Sequence, residues 1–151
     1  MSRRIAAAGL SVTPPSGWEA TIYRRPALVE HEVTLPIMHA ATVPLPTERG
    51  DYGGGLVEML GPEDVFVSVL EFGTDAATTP LFSQITGVPG LTPDLYRPRQ
   101  LQRTIRGQAG VQRFFNASGR AFVLYSVIGA FANRSQLAGR ANQLIGTFHV
   151  E

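Results

Sequence analysis

Three features of the sequence predict an α+β fold, a twisted antiparallel sheet covered by a C-terminal helix. DVFVSVLEFG (64–73) is almost continuously apolar, as expected of a central strand covered on both faces. Two further apolar runs, 108–115 and 120–128, flank Asn116-Ala117-Ser118-Gly119, a quartet of turn-forming character that joins them as a hairpin. Beyond them, Leu137, Ala141, Leu144 and Ile145 recur at three- and four-residue steps, the mark of a helix with one apolar face. Such a helix needs a sheet to cover.

The remaining elements follow in chain order. In MSRRIAAAGLSV, Arg3 and Arg4 precede a short apolar run, mimicking the charged and apolar regions of a signal peptide. The run leads straight into Thr13-Pro14-Pro15 with no small-residue cleavage site, so a cytoplasmic location is expected, with export as the alternative. No stretch approaches the roughly 20 apolar residues of a membrane span. After Pro14-Pro15-Ser16-Gly17, the alternation of Trp18, Ala20 and Ile22 with Glu19 and Thr21 reads as a strand that Pro26 ends.

EVTLPIMHAATVPLP (32–46) is apolar but punctuated by proline, which suits an edge strand or an extended loop. Thr47 to Gly55 is a loop, LVEML (56–60) a short run, and Gly61-Pro62 a turn. Pro80, Pro89, Gly90 and Pro93 allow only short helical turns before residue 96. Asn133 or Ser135 can cap the final helix, Gly146 stands at its C-terminal end, and TFHV alternates like a last strand.

At 151 residues the chain is most simply one domain, 1–151, long enough to bury a core without staples. With no Cys, disulfides, thiolate metal sites and cysteine nucleophiles are excluded. All 13 basic residues are Arg, a preference that a bacterial high-GC genome explains without any functional cause. Their distribution is more telling. Residues 1–94 hold five Arg against eleven carboxylates, a net charge of about −6, whereas residues 95–150 hold eight Arg and no carboxylate.

Within that basic half, Arg97, Arg99, Arg103, Arg106, Arg113 and Arg120 fall in a stretch free of carboxylates. If QLQRTIRG is helical, Arg99, Arg103 and Arg106 share one face. Guanidinium forks bind carboxylates and phosphates, so these six are the candidate partner-binding residues. Pairing with the acidic half, within the chain or between subunits, is the plain alternative to an acidic protein partner. Nucleic acid fits less well, because aromatic-plus-basic RNA-binding motifs are missing and the net charge is only +1.

Other chemistry is weakly supported. The Gly50–Gly55 loop lacks the Lys and following helix of a phosphate loop, and reads as a mobile contact. His31, His39 and His149 lack metal-ligand spacing, so no metal or other cofactor is expected. No G-x-S-x-G elbow exists, and Ser118 belongs to a turn. Asn116-Ala117-Ser118 and Asn133-Arg134-Ser135 match the glycosylation pattern, which matters only in a secretory pathway. Trp18 reads as a core or sheet-face aromatic. As an alternative it marks, with Tyr52, a pocket for a small apolar ligand.

The ordering of elements resembles the Mog1/PsbP-like fold and the related actinobacterial lipoprotein domains. The resemblance is carried by Pro15, Gly17 and Trp18 at the start, Gly119-Arg120-Ala121-Phe122 in the hairpin, and Asn142 to Val150 at the end. It implies a twisted antiparallel sheet with a C-terminal helix and accessory or binding roles. The resulting expectation is a non-enzymatic interaction or assembly module, an accessory subunit or oligomer, with the Arg-rich segment as its contact.

Overall fold

A computed structural model describes residues 3–151, so Met1 and Ser2 of the charged N-terminal segment lie outside the described residues. Ten elements follow in order: β1 (Ile5–Ala7), β2 (Leu10–Val12), β3 (Glu19–Arg24), β4 (Pro36–Ala41), β5 (Val65–Gly73), α1 (Pro80–Ser83), β6 (Ala109–Ala117), β7 (Arg120–Ile128), α2 (Arg134–Ile145) and β8 (His149–Val150). The class is α+β. Two antiparallel sheets form, a five-stranded one ordered β3-β4-β5-β7-β6 and a three-stranded one ordered β1-β2-β8. None of the described helices is long and apolar enough to cross a membrane.

β5 is central, as its apolar run requires, and its first six residues are all buried. One face of the large sheet presents Met38, Val67, Val69, Phe115, Phe122 and Leu124 to α2, which buries Leu137, Ala141 and Leu144 against them. Each of the larger of these side chains taken fully out of water contributes about 2 kcal/mol. The opposite face has no long helix; the four-residue α1 sets Phe82 against Ala121 and Val123 there. A short segment built on a 3-10 turn at Val57–Met59 covers the rest, with Leu56, Val57 and Leu60 packed on Ala41, Phe66, Tyr125 and Val127. Along that face, register aligns His39 with Ser68 and Ser68 with Tyr125, a polar row crossing three strands.

Several elements differ from the sequence expectation. The chain divides its strands between two sheets because the N-terminal segment turns back on itself at Ala8-Gly9 and then pairs with the C-terminal β8. β4 is an inner strand, not an edge. Pro36 is its first residue, where a missing N–H interrupts no ladder, and β3 takes the edge. The late hairpin turns on two residues rather than four. Ser118 and Gly119 both adopt positive φ, as a type I′ turn requires, while Asn116 and Ala117 stay paired to Ala121 and Arg120.

QLQRTIRG is not a helix. A 3-10 turn at Pro98–Gln100 passes into bends, so Arg99, Arg103 and Arg106 share no helical face. The sheet claims the backbone groups a helix would use. Arg97 exchanges two hydrogen bonds with Gly110, and the Gln102 N–H donates to the Tyr125 hydroxyl at 2.9 Å. Leu101 and Ile105 are meanwhile drawn into the apolar layer beneath. At α2, Asn133 is the N-cap residue, but its side chain donates to the Pro62 carbonyl rather than to the helix.

Candidate functional site

The six arginines part company in space. Arg120 is committed inside the chain. Its Nε and Nη2 donate to the two Glu71 carboxylate oxygens at 3.0 and 2.6 Å, and its other donors reach the Ala8 and Gly9 carbonyls of the β1–β2 turn. Both charges are largely shielded from water, at 16% and 5% side-chain exposure. The hydrogen bonds it donates to Glu71, ahead of the opposing effect of burial, push the Arg120 pKa up. A side chain at Gly9, already in the left-handed region, would meet this guanidinium at 2.6 Å. Arg120 is thus a clamp between the two sheets.

Arg103 forms a second internal pair, with Glu58 at 2.7 Å, but in the open. That bond, followed by the backbone amides of the turn, holds the Glu58 carboxyl below its usual range. The other four, Arg97, Arg99, Arg106 and Arg113, make no ion pair or side-chain hydrogen bond among the described residues. Arg97 pairs with β6, Arg99 lies in the turn beside it, Arg106 precedes it and Arg113 belongs to it. The basic segment therefore borders one edge of the five-stranded sheet.

The Gly50–Gly55 loop is tied down rather than free. Gly50 and Gly54 are bonded backbone to backbone, and Gly53 accepts from both Leu56 and Val57. Gly53 lies over the Phe66 ring with φ of 88°, where a Cβ would come within 2.6 Å of the ring. The Asp51 carbonyl is held by the Ser68 hydroxyl at 2.9 Å and by His39 Nε2 at 2.8 Å. Since Arg49 Nε can only donate to His39 Nδ1, at 3.0 Å, the imidazole proton sits on Nε2. Tyr23 donates to Asp51 Oδ1 at 3.0 Å, and Arg25 approaches Oδ2 at 3.3 Å.

This Tyr–His–Asp–Arg grouping has the ingredients of acid–base chemistry. However, His39 is fully buried, and burial lowers its pKa to about 4. Burial, then the neighbouring Asp51 charge, raises the Tyr23 pKa, so both groups stay neutral near pH 7. What the cluster does is fasten the loop to the sheet.

Beside the fastened loop runs a cleft of about 280 Å³, bounded across from Gly50–Gly54 by Leu101, Gln102 and Arg103. Tyr52 and Tyr125 meet edge to face within it, ring centres 5.4 Å apart. Burial raises both phenol pKa values. Gln108, buried on the cleft wall, donates from Nε2 to the Val57 carbonyl at 2.8 Å, while its Oε1 has no partner among the described residues. Tyr52 and Arg103, candidates of separate kinds in the sequence, thus line one cavity.

Trp18 is elsewhere. It is 8% exposed, packed in the core on the α2 side, and its backbone N–H donates to the Pro15 carbonyl to close the Pro15–Trp18 turn. A larger, more open groove of about 660 Å³ lies beside it, lined partly by Arg3, Arg4 and Pro15. The histidines are kept apart, His31 exposed in the β3–β4 connection and His149 exposed on β8. No cluster of three or more His, Cys, Asp or Glu side chains suited to a metal forms among the described residues. The Asn116 amide is taken up by the Phe82 and Ile85 carbonyls, and Ser118 donates to Val150.

No family model, curated protein or solved structure matches this chain.

Sequence reasoning weighed His39 only as a metal ligand against a surface histidine, whereas it is fully buried, and passed over Glu71, Gln108 and Tyr125. His39 carried a faint signal, a lone titratable residue inside the otherwise apolar PIMHAA. For Gln108 and Tyr125 there was none, because only the strand register and the path of residues 97–108 bring them together.

Proposed function

We propose that the protein is a non-enzymatic interaction module whose basic β6 edge docks on an acidic protein surface. The observation that carries this is the set of four arginines, Arg97, Arg99, Arg106 and Arg113, that form no ion pair among the described residues along that edge. Had in-chain neutralisation been their role, eight acids of residues 1–94 that pair with no Arg were available. The chain instead pairs Arg103 and Arg120 and leaves these four out. The β3–β4 connection adds a second contact of interaction type, with Leu28, Val29 and Val33 between 68% and 90% exposed. A non-enzymatic role is supported by the burial of His39, the one imidazole in the Tyr23–His39–Asp51 grouping, which stays neutral near pH 7. The Mog1/PsbP-like resemblance, with its accessory and binding roles, points the same way.

Light scattering on protein from its native source, at low and high salt, tests the reading. A complex larger than the chain that dissociates with salt supports it, since exposed charge contacts are screened within about 10 Å at 0.1 M salt. Replacing Arg97, Arg99, Arg106 and Arg113 together by Glu should abolish that complex without unfolding the protein. A monomer in every condition, or a complex indifferent to the four substitutions, overturns it. A salt-sensitive particle made only of this chain would identify the acidic partner as a second copy.

A further inference from the structure

We propose that the outer edge of β6 takes up an extended acidic segment of a partner protein as an added strand. This rests on the docking role of the four arginines and deepens it, naming backbone pairing at Gln112 and Phe114 as what holds the partner in register. β6 is the last strand of the five-stranded sheet, with β7 on one side only. Its other side is bridged at two points. The N–H and carbonyl of Gly110 pair with Arg97, while the Asn116 N–H donates to the Ile85 carbonyl and the Asn116 carbonyl accepts from Gly87. Successive residues of a strand send their backbone groups to opposite sides, and the β6–β7 register is unbroken from Ala109 to Ala117. Gln112 and Phe114 therefore point their N–H and carbonyl groups outward, as Gly110 and Asn116 do. These outward groups find no backbone partner among the described residues.

The path of the chain leaves this stretch open. Between the two bridges, residues 88–96 cross to the α2 face, where Val88, Leu91 and Tyr96 join the core and Asn142 bonds Leu91. Outside the bridges, Phe82 and Leu101 pack on the opposite face. The edge runs about 20 Å from Gly110 to Asn116, room for about four residues of an extended guest. Gln112, Arg113 and Phe114 are accordingly half-exposed in a strand otherwise mostly buried. An unpaired edge of this kind is a template for strand addition. Charge selects the guest. Arg113 stands in the middle of the open stretch, Arg97 at its Gly110 end, and residues 95–150 contain no carboxylate. A second β6 pairing antiparallel about this stretch would set Arg113 against Arg113, so the edge disfavours its own copy and favours a strand carrying Glu or Asp.

The probe is a short end-capped peptide of alternating Glu and Val. It is compared with the same peptide N-methylated at its central backbone amides and with a version carrying Lys for Glu. In NMR titrations of the full chain, the Glu peptide should bind saturably and slow amide exchange at Gln112 and Phe114 at least about tenfold. N-methylation keeps every charge but removes the guest's donors, so it should weaken binding at least about tenfold. The Lys version should not bind. Equal binding by the N-methylated peptide, with shifts at the arginines and no protection of Gln112 and Phe114, overturns strand addition and leaves acidic docking standing. Protection of β3, the opposite edge, in place of β6 overturns the proposal too, as does binding of the Lys version or no saturation by the Glu peptide. Gln112→Pro deletes an outward N–H that β7 does not use, and should dissociate the salt-sensitive complex with all four arginines in place. Survival of that complex counts against strand addition alone. Because the peptides are compared on the unmodified chain, the test stands even if Gln112→Pro does not fold.

Discussion

Acidification below about pH 6.5 should destabilise this protein through His39, by an amount that follows from its burial. The imidazole is fully buried under the 46–55 loop. Tyr23 faces it from β3, Ser68 and Phe66 adjoin it on β5, and Arg49 and Asp51 close over it from the loop. Arg25 reaches Asp51 rather than the ring. Burial lowers its pKa from 6.5 to about 4, the Arg49 charge adds to the lowering, and the Asp51 carbonyl and charge oppose it. In the folded protein His39 thus stays neutral down to about pH 4, whereas in the unfolded chain it takes up a proton near 6.5. Between those values the unfolded state binds the extra proton. The stabilisation is therefore complete above pH 6.5 and is lost as the pH falls towards 4.

At about 1.4 kcal/mol per pH unit the loss has a ceiling of about 3 kcal/mol, a large share of a typical stability of about 5–15 kcal/mol. Urea unfolding across this window measures it, with His39→Gln as the comparison. The variant starts from lower stability but should have a nearly flat profile. Parallel profiles for the two proteins, or an NMR titration of His39 centred near 6.5, would refute the reasoning.

The two arginine pairs should behave oppositely. Arg120→Ala leaves Glu71 buried without its partner and should cost about 3–5 kcal/mol, whereas Arg103→Ala, breaking an exposed pair, should cost less than about 1 kcal/mol. Similar denaturation midpoints for the two variants would contradict the assignment of Arg120 as a clamp. Gly53→Ala forces a side chain into the left-handed region and against Phe66, so a loss of about 2 kcal/mol or more is expected in thermal unfolding. Asn142 bonds both the N–H and the carbonyl of Leu91, at 2.8 and 2.7 Å. Asn142→Ala should cost about 2–3 kcal/mol and speed amide exchange over residues 88–96 more than in β5 or β7.

The acid-poor run of arginines was plain in the sequence, but the separation of clamp from free cation was not. Arg120 differs from Arg113 only through contacts with Glu71, Ala8 and Gly9, residues at least 49 positions away along the chain. The helical spacing of Arg99, Arg103 and Arg106 was a pattern that the segment does not use, because the sheet offered its backbone better partners. Tyr52 and Arg103 entered as unrelated candidates and line one cleft.

Elements whose signal is local were determined by the sequence alone. The near-continuous apolar run made β5 central, the Ser118-Gly119 turn lies within the quartet that announced it, and the spacing of Leu137, Ala141 and Leu144 set the buried stripe of α2. Period, turn chemistry and propensity act over a few residues, so a few residues reveal them. Tertiary structure decided the rest: the division into two sheets, the inner position of β4, the burial of His39 and the joining of the loop to the 101–108 segment. Each depends on which strands lie side by side and in what register, and a shift of one residue would turn His39, Ser68 and Tyr125 to the other face. Pairings between distant segments are chosen by the free energy of the whole packed molecule, which no single stretch of the chain contains.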